Sequence, residues 1–476
     1  MNQLVTTHAP VCYPKKQATQ PYAGEAFAIT KPILSLLLFA LICINLFARN
    51  PLEPTHYAAP ARLECTSPEM NTAGYWISRH PHPDSLILTS SQIAKFNART
   101  NPYSIYTKNT SYSSYFSGST IKTQIKDLLK TISGVGVYDS SGAKVSQALR
   151  DSLRKNANID GIPLRVKVRF GFPVTVARQR YAPSMVNLNK KVLDIEFDEM
   201  QNSGYDIGHP TMFYHTSADG KWVYGACNTS VGWYLLSEVC FVSQQDWVSY
   251  LSAPQKVLSL KARADIWKDA AATQYLTYCR MGTAFPLLSE TADYYQIQVP
   301  VKDSLSIAYI AKEDASLGYL PYTARNVYKQ AFSMLNMPYG WGDTDGDYDC
   351  SSLIMHIFAC FGFNLPRNGR QQAKATKLLH DFGPVDSETT RDKIVTQKGI
   401  PGISLLRMDG HIMLYLGESG GKAYALHDIW GYRKPGADGE NEIYVINKTV
   451  VTDLYLGQNS LRGSLLKRLT HLCAVK

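Results

Sequence analysis

The sequence predicts an α+β chain of several domains, with a strand-rich middle and a C-terminal domain in which helix precedes sheet. Three observations carry this. From about residue 161, short apolar or alternating runs follow one another closely, each bounded by turn residues, which suggests small β-barrels. From residue 324 the pattern turns helical, and it returns to strands after 402; that order is the α+β arrangement. The chain has 476 residues and 45% hydrophobic content, enough for about two to four domains with their own cores.

The elements follow in order. Residues 33–48, ILSLLLFALICINLFA, are an apolar run preceded by Lys15, Lys16 and Lys31. A membrane span needs about 20 such residues, so the run reads as the core of a secretory signal, with Ala48 as a cleavage point. An uncleaved anchor is the alternative; a lipoprotein reading fails because Cys43 follows Ile42. We therefore assign 1–48 to a signal peptide or membrane anchor and the Pro-rich, polar stretch 49–73 to a linker. Residues 74–160 form an N-terminal region. In it, Ser90 as an N-cap precedes a short helix over Ile93 to Phe96, and Ile121, Ile125, Leu128, Leu129 and Ile132 recur at helical spacing.

Residues 161–252 carry the strand-like runs 164–170, 211–217, 221–227 and 232–242. Asp219-Gly220 marks a hairpin between two of them, and Trp222 and Trp233 are placed to fill a small barrel core. A second small barrel is expected over 253–320, from YYQIQVPV (294–301) and SIAYIAKE (306–313). The remaining 321–476 is the C-terminal domain, opening on a helix from Asn326 to Leu335 that stops before Pro338.

Charge and cysteine content exclude some classes. The formal net charge is +10, but Lys and Arg are scattered rather than clustered, so nucleic acid is not expected as a partner. Of nine cysteines, seven follow the apolar run. No Cys-x-x-Cys pair exists, and neither metal nor cofactor is expected. Cys227 and Cys240 are compatible with a disulfide or with two buried thiols.

The chemistry is concentrated in residues 338–367. Gly340, Gly342 and Gly346 make a loop, Asp349-Cys350-Ser351-Ser352 follows, and Leu353, Ile354, Ile357, Phe358 and Phe361 then trace the buried face of a helix ending near Gly362. Cys350 thus sits at a helix N-terminus, where the dipole favours a thiolate by about 0.3–1 kcal/mol; a nearby imidazolium must add the rest. A Cys at a loop–helix junction is otherwise a small buried residue, a description that suits Cys360 better, and His356 reads as packing. Residues 410–431 supply the imidazoles, with His411 on one strand and His427 on the next. If the two lie opposite each other, Leu416 pairs with Lys422 and residues 417–421 form a five-residue connection. Asp428 reads as surface or turn.

These residues resemble the NlpC-type (NlpC/P60 superfamily) cysteine peptidases of peptidoglycan. The shared pattern is Tyr339 to Gly342, Asp349 to Ser351, Leu365 to Arg367, Gly410-His411 and the later His427. Residues 197–239, 280–287 and 74–97 resemble the first and second SH3-like domains and the N-terminal stabilising region of the multidomain members. The resemblance implies a papain-like catalytic domain preceded by two SH3-like β-barrels. It implies hydrolysis of the γ-D-glutamyl–diamino-acid amide bond of wall stem peptides. Cys350 would be nucleophile, His411 base and His427 its orienting partner. Tyr339 and the Cys350 N–H would stabilise the oxyanion, with Asp349 and Ser351 on the substrate. Two departures stand out: Ser352 where Gly is frequent, and Gly369 where Ser often follows Leu-Pro-Arg.

The expected partner is a stem peptide with a free N-terminal L-Ala held by Asp349, and the expected place is the cell envelope, periplasmic or secreted, with membrane contact only through an uncleaved apolar segment. Two other readings use the same residues differently: an acyltransferase or amidase acting on a non-wall substrate, and a wall-binding protein without catalysis.

Overall fold

A computed structural model describes residues 55–56, 63–100, 112–192, 194–384, 386–437 and 439–476. The apolar run 33–48, Cys12, Cys43 and residues 49–54 and 57–62 of the linker 49–73 lie outside the described residues. Among those described, no helix is long and apolar enough to cross a membrane.

Three seven-stranded sheets carry the fold. In the first, the strands run in the order 239–242, 169–173, 211–216, 222–226, 231–235, 177–180 and 201–205. In the second the order is 275–280, 263–267, 304–311, 294–301, 284–290, 256–259 and 315–317. The Asp219-Gly220 hairpin forms as its sequence predicts: Gly220 has φ 70° and Val223 pairs with Thr216. Trp222 and Trp233 are both buried.

The expected closed barrels do not form; both sheets are open. In the first sheet the reason lies at the edge strand Gln201–Tyr205, whose free side is covered by the loop that precedes Cys350 instead of by another strand. Gln201 Nε2 donates to the Gly342 carbonyl at 2.9 Å, and the Gly204 N–H donates to Asp343 at 3.4 Å. An edge that would have closed a barrel is used as a docking surface.

The N-terminal helices are shared between cores. Trp76, Ile93 and Phe96 pack with Val327, Tyr328, Leu353 and Phe358 of the C-terminal domain. Helix Gly118–Val135 buries Ile121, Ile125, Leu128, Leu129 and Ile132 against the first sheet. Helix Ser90–Thr100 begins one residue earlier than expected: Thr89 caps it, accepting from the Gln92 N–H at 3.4 Å while its own N–H donates to Gln92 Oε1 at 2.8 Å. Helix Ala324–Ser333 likewise starts earlier, because Thr323 accepts from the Asn326 N–H.

The third sheet belongs to the C-terminal domain. Its order is 55–56, 441–453, 422–435, 411–419, 404–408, 469–474 and 377–381, with Thr55–His56 added in parallel at one edge. Even-numbered residues Ile412, Leu414, Leu416 and Leu426 pack with the helix Cys350–Ala359. Odd-numbered Met413, Tyr415, Ala423 and Ala425 pack with the C-terminal segment around Leu465 and Leu472.

The hairpin between the two histidines differs from the expected five-residue connection. Ser419 pairs with Lys422, so Gly420 and Gly421 alone form the turn, with φ 58° and 77°. Two-residue hairpins need positive φ at both central positions, and a Gly-Gly pair supplies it without steric cost. Such a turn sets odd residues against even ones, which would send His411 and His427 to opposite faces. A bulge between Tyr415 and Gly417, where Gly417 has φ 137°, restores parity, and Leu414 pairs with Leu426. His427 is therefore diagonal to His411 on the same face rather than directly opposite.

Candidate active site

Helix Cys350–Ala359 starts where it does because Asp349 caps it. The Asp349 carboxylate accepts from the N–H groups of Ser351 at 3.0 Å and Ser352 at 2.9 Å, and Ser352 Oγ accepts from the Asp349 N–H at 2.9 Å. Ser352, a departure from the family pattern, thus completes a capping box. Leu353, Ile354, Ile357 and Phe358 are fully buried beneath it, which holds the first turn against the sheet. Cys350 is half-buried at the head of the helix.

The preceding loop is held by a buried chain of charges that reaches across the fold. Arg367 joins Asp349 at 2.7 Å and Asp343 at 2.9 Å; Arg280 joins Asp343 at 3.3 Å and Asp206 at 3.0 Å. Asp343 holds a left-handed backbone at φ 63°, a conformation tolerated by Asp more readily than by most residues. The neighbouring guanidiniums draw the Asp206 and Asp343 carboxyls below the ordinary carboxylate range against the opposing effect of burial. His356 sits beside this network, with Nδ1 2.6 Å from the Met281 carbonyl. Burial, then the Arg280 charge, lowers its pKa to about 4, in keeping with a packing role.

The two imidazoles meet as the register requires. His411 Nε2 and His427 Nδ1 are 2.7 Å apart, and His427 Nε2 lies 3.0 Å from Thr452 Oγ1. Thr452 is fully buried. Cys350, His411, Tyr339, Asp349 and Ser351 line one cavity of about 540 Å³, which Gln201, Asn202 and Val231 of the first sheet also line. Asp349 is largely engaged, since Ser351 Oγ and both terminal nitrogens of Arg367 also bond to it. Ser351 Oγ is in turn bound by Arg367 at 3.0 Å. Phe197, from a loop of the first-sheet domain, packs its ring 5.3 Å from Trp341 and 5.2 Å from Trp430, and 6.4 Å from Tyr339.

The electrostatics differ from the expectation of a thiolate favoured by the helix dipole. Burial, followed by the Asp349 charge, pushes the Cys350 thiol up to about 12, against the favourable contact of the Ile412 backbone N–H. Burial and then the neighbouring His427 and Arg468 hold the His411 imidazole well below its ordinary value. The resting pair is a neutral thiol and a neutral imidazole: desolvation disfavours both charges and outweighs a dipole effect of about 1 kcal/mol or less.

Asp428 corrects the reading as surface or turn. It is fully buried in the long strand Lys422–Pro435, paired in register with Thr449, and burial raises its pKa well above the ordinary range. Cys227 and Cys240 are both buried free thiols.

Residues 336–427 match the model of the NlpC/P60 family. This segment is similar to the NlpC/P60 family. It contains Tyr339, Cys350, His411 and His427. A gamma-D-glutamyl-L-lysine dipeptidyl-peptidase of Bacillus subtilis (strain 168) is 27% identical over 144 residues, which cover 29% of this chain and 43% of that protein; less than half of that relative is therefore represented in the match. An NlpC/P60 endopeptidase from Photobacterium damselae subsp. piscicida has a similar fold, with a TM-score of 0.71 at 20% identity over 88% of this chain and 98% of that one. An NlpC/P60 family protein from Bacillus cereus aligns with a TM-score of 0.44 at 16% identity over 64% of this chain and 98% of that one.

Of the residues singled out in the sequence, Cys350, His411 and Tyr339 line this cavity and His427 meets His411; Thr452, Arg280, Asp206 and Asp343 were not singled out there. Arg367 was visible in the Leu-Pro-Arg motif without a role. Thr452 carries no local signal, being one Thr in a β-branched run, Thr449 to Thr452.

Proposed function

We propose that the protein is a cysteine peptidase of bacterial wall stem peptides, hydrolysing the γ-D-glutamyl–diamino-acid amide bond with Cys350, His411 and His427. The observation that carries the proposal is the 2.7 Å His411–His427 contact on the wall of the cavity that holds Cys350 at its helix start. With Thr452 Oγ1 accepting from His427 Nε2–H, His427 Nδ1 is a lone pair that accepts from His411 Nε2–H. His411 Nδ1 is then left unprotonated, the form a general base needs.

The steps follow from that tautomer. Cys350 Sγ attacks the amide carbonyl carbon as its proton passes to His411 Nδ1. The Cys350 N–H and the Tyr339 hydroxyl stabilise the oxyanion. The imidazolium gives its proton to the leaving amine as the C–N bond breaks, and water, deprotonated by His411, then releases the acyl group from sulfur. Because the resting pair is neutral, proton transfer accompanies attack.

The first sheet closes one side of the cavity, which favours short peptide ends over cross-linked polymer. In this reading the two upstream sheets are SH3-like modules, and the first of them serves as a wall of the groove. The remaining acceptor capacity of Asp349 Oδ2 faces the free N-terminal ammonium of L-Ala. A leader at 1–48 would place the enzyme in the cell envelope. The test is digestion of purified wall and of L-Ala-γ-D-Glu-diaminopimelate by the protein and its Cys350→Ala variant, with fragments identified by mass. Release of dipeptide by the first alone is expected; equal release by both ends the cysteine-peptidase reading.

A further inference from the structure

The second sheet lines no part of the cavity around Cys350, yet one of its faces carries a row of side chains that its core does not use. Tyr275 pairs with Trp267, Trp267 with Tyr309, Tyr309 with Gln296 and Gln296 with Ser289. Residues in direct register share a face, so these five stand side by side across five strands. Ile266, Ile297 and Ile310, their neighbours along the chain, are buried in the core on the opposite face. Strands lie about 4.8 Å apart, so the three aromatic rings span about 10 Å and the whole row about 19 Å.

Two irregularities build the row. The register shifts between Ile266 and Trp267 and again between Leu287 and Ser289. Without the first bulge Leu276 would stand beside Trp267, and without the second Leu288 would stand beside Gln296; the bulges put Tyr275 and Ser289 there instead. Tyr275 is 50% exposed, and its ring meets Trp267 edge to face at 5.7 Å. At the other end the hydrogen bonds run one way. Ser289 Oγ donates to Gln296 Oε1 at 2.6 Å, and Gln296 Nε2 donates to the Tyr309 hydroxyl oxygen at 3.0 Å. The Tyr309 hydroxyl hydrogen is left to be donated outward.

We infer that this row is a binding platform for a glycan, on which an extended pyranose chain lays the C–H faces of its sugars on Tyr275, Trp267 and Tyr309. Its hydroxyl or acetamido groups then reach Tyr309, Gln296 and Ser289. The electron-rich face of an aromatic ring attracts the slightly positive C–H groups of a sugar ring. All five side chains are uncharged, which matches a neutral polymer and not a polyanion. A strip five side chains long is also far smaller than the roughly 20–30 residues a side that a stable protein dimer uses. The platform goes beyond the peptidase reading and does not depend on it, because it lies outside the Cys350 cavity.

The test is calorimetric titration of the full chain with tetra-N-acetylchitotetraose. Saturable binding in roughly the millimolar range or tighter is expected, weakened about tenfold or more in Trp267→Ala and in Tyr275→Ala. Tyr275 is half exposed, so its variant folds even where Trp267→Ala does not; thermal unfolding checks both. Absence of saturation overturns the platform, as does equal affinity in both variants. Self-association of the unmodified protein that Trp267→Ala abolishes would give the row to a second copy and likewise overturn it. The tetrasaccharide has no γ-glutamyl bond, so none of these outcomes bears on Cys350.

Discussion

Removing Arg280 tests whether the buried charge network holds the Cys350 loop in place. Arg280 is fully buried, donates to Asp206 at 3.1 Å through Nε and to the Gly204 carbonyl at 2.9 Å, and pairs with Asp343 at 3.3 Å. In Arg280→Met, Asp343 keeps Arg367 at 2.9 Å. Asp206 keeps the backbone N–H of residue 280 at 2.7 Å but loses its guanidinium. Breaking a buried pair by deleting one partner costs about 3–5 kcal/mol, a large share of a typical total of 5–15 kcal/mol. The pH dependence follows from the sign of the shift. Asp206 and Asp343 have depressed pKa values in the folded protein. Their contribution is therefore present above the unfolded value of about 3.9 and is lost as pH falls through the folded value. The deficit of Arg280→Met should be full at pH 7 and shrink below about pH 4. Urea denaturation followed by tryptophan fluorescence at pH 7, 5 and 3.5 measures it, and Arg280→Met combined with Asp206→Leu should recover part of the loss. A deficit under about 1 kcal/mol at pH 7, or one that does not vary with pH, would refute the reasoning.

Four further outcomes are expected. Cys350→Ala should abolish peptide hydrolysis with the unfolding temperature preserved, whereas Cys360→Ala, at a fully buried position, should keep its chemistry and lose about 1 kcal/mol or more; active Cys350→Ala would end the assignment. His411→Ala should lose more activity than His427→Ala, and Thr452→Val, which keeps shape but removes the hydroxyl at 3.0 Å from His427, should lower kcat by about tenfold with KM little changed; an unchanged kcat removes Thr452 from the relay. Gly417→Val should cost about 1–3 kcal/mol, because φ 137° is accessible to glycine and strained for a β-branched residue, and thermal unfolding would show it. The base His411 must be neutral to act, and its pKa is depressed, so kcat/KM should persist as pH falls through 6.5 and decline only below it, with no alkaline loss from the thiol short of about pH 12; an acid limb at or above pH 6.5 contradicts that assignment.

What the sequence determined by itself is local. The helix after Cys350 is written in the spacing of Leu353, Ile354, Ile357 and Phe358, its cap in Asp349, and the strands carrying His411 and His427 in apolar runs around Gly420-Gly421. These signals act over a few residues, because helix and strand periodicity and turn chemistry are set by neighbours along the chain. Tertiary structure decided the rest. The bulge at Gly417 brings the two histidines to one face, although a two-residue turn alone would separate them. The first sheet stays open because its edge Gln201–Tyr205 meets the loop before Cys350, an encounter between segments 141 residues apart. Asp206, Arg280, Asp343, Arg367 and Asp349 become a network only when distant segments of the chain converge. The protonation states of Cys350 and His411 are tertiary properties in the same sense: residue type sets the starting pKa, and the exclusion of water by distant segments moves it.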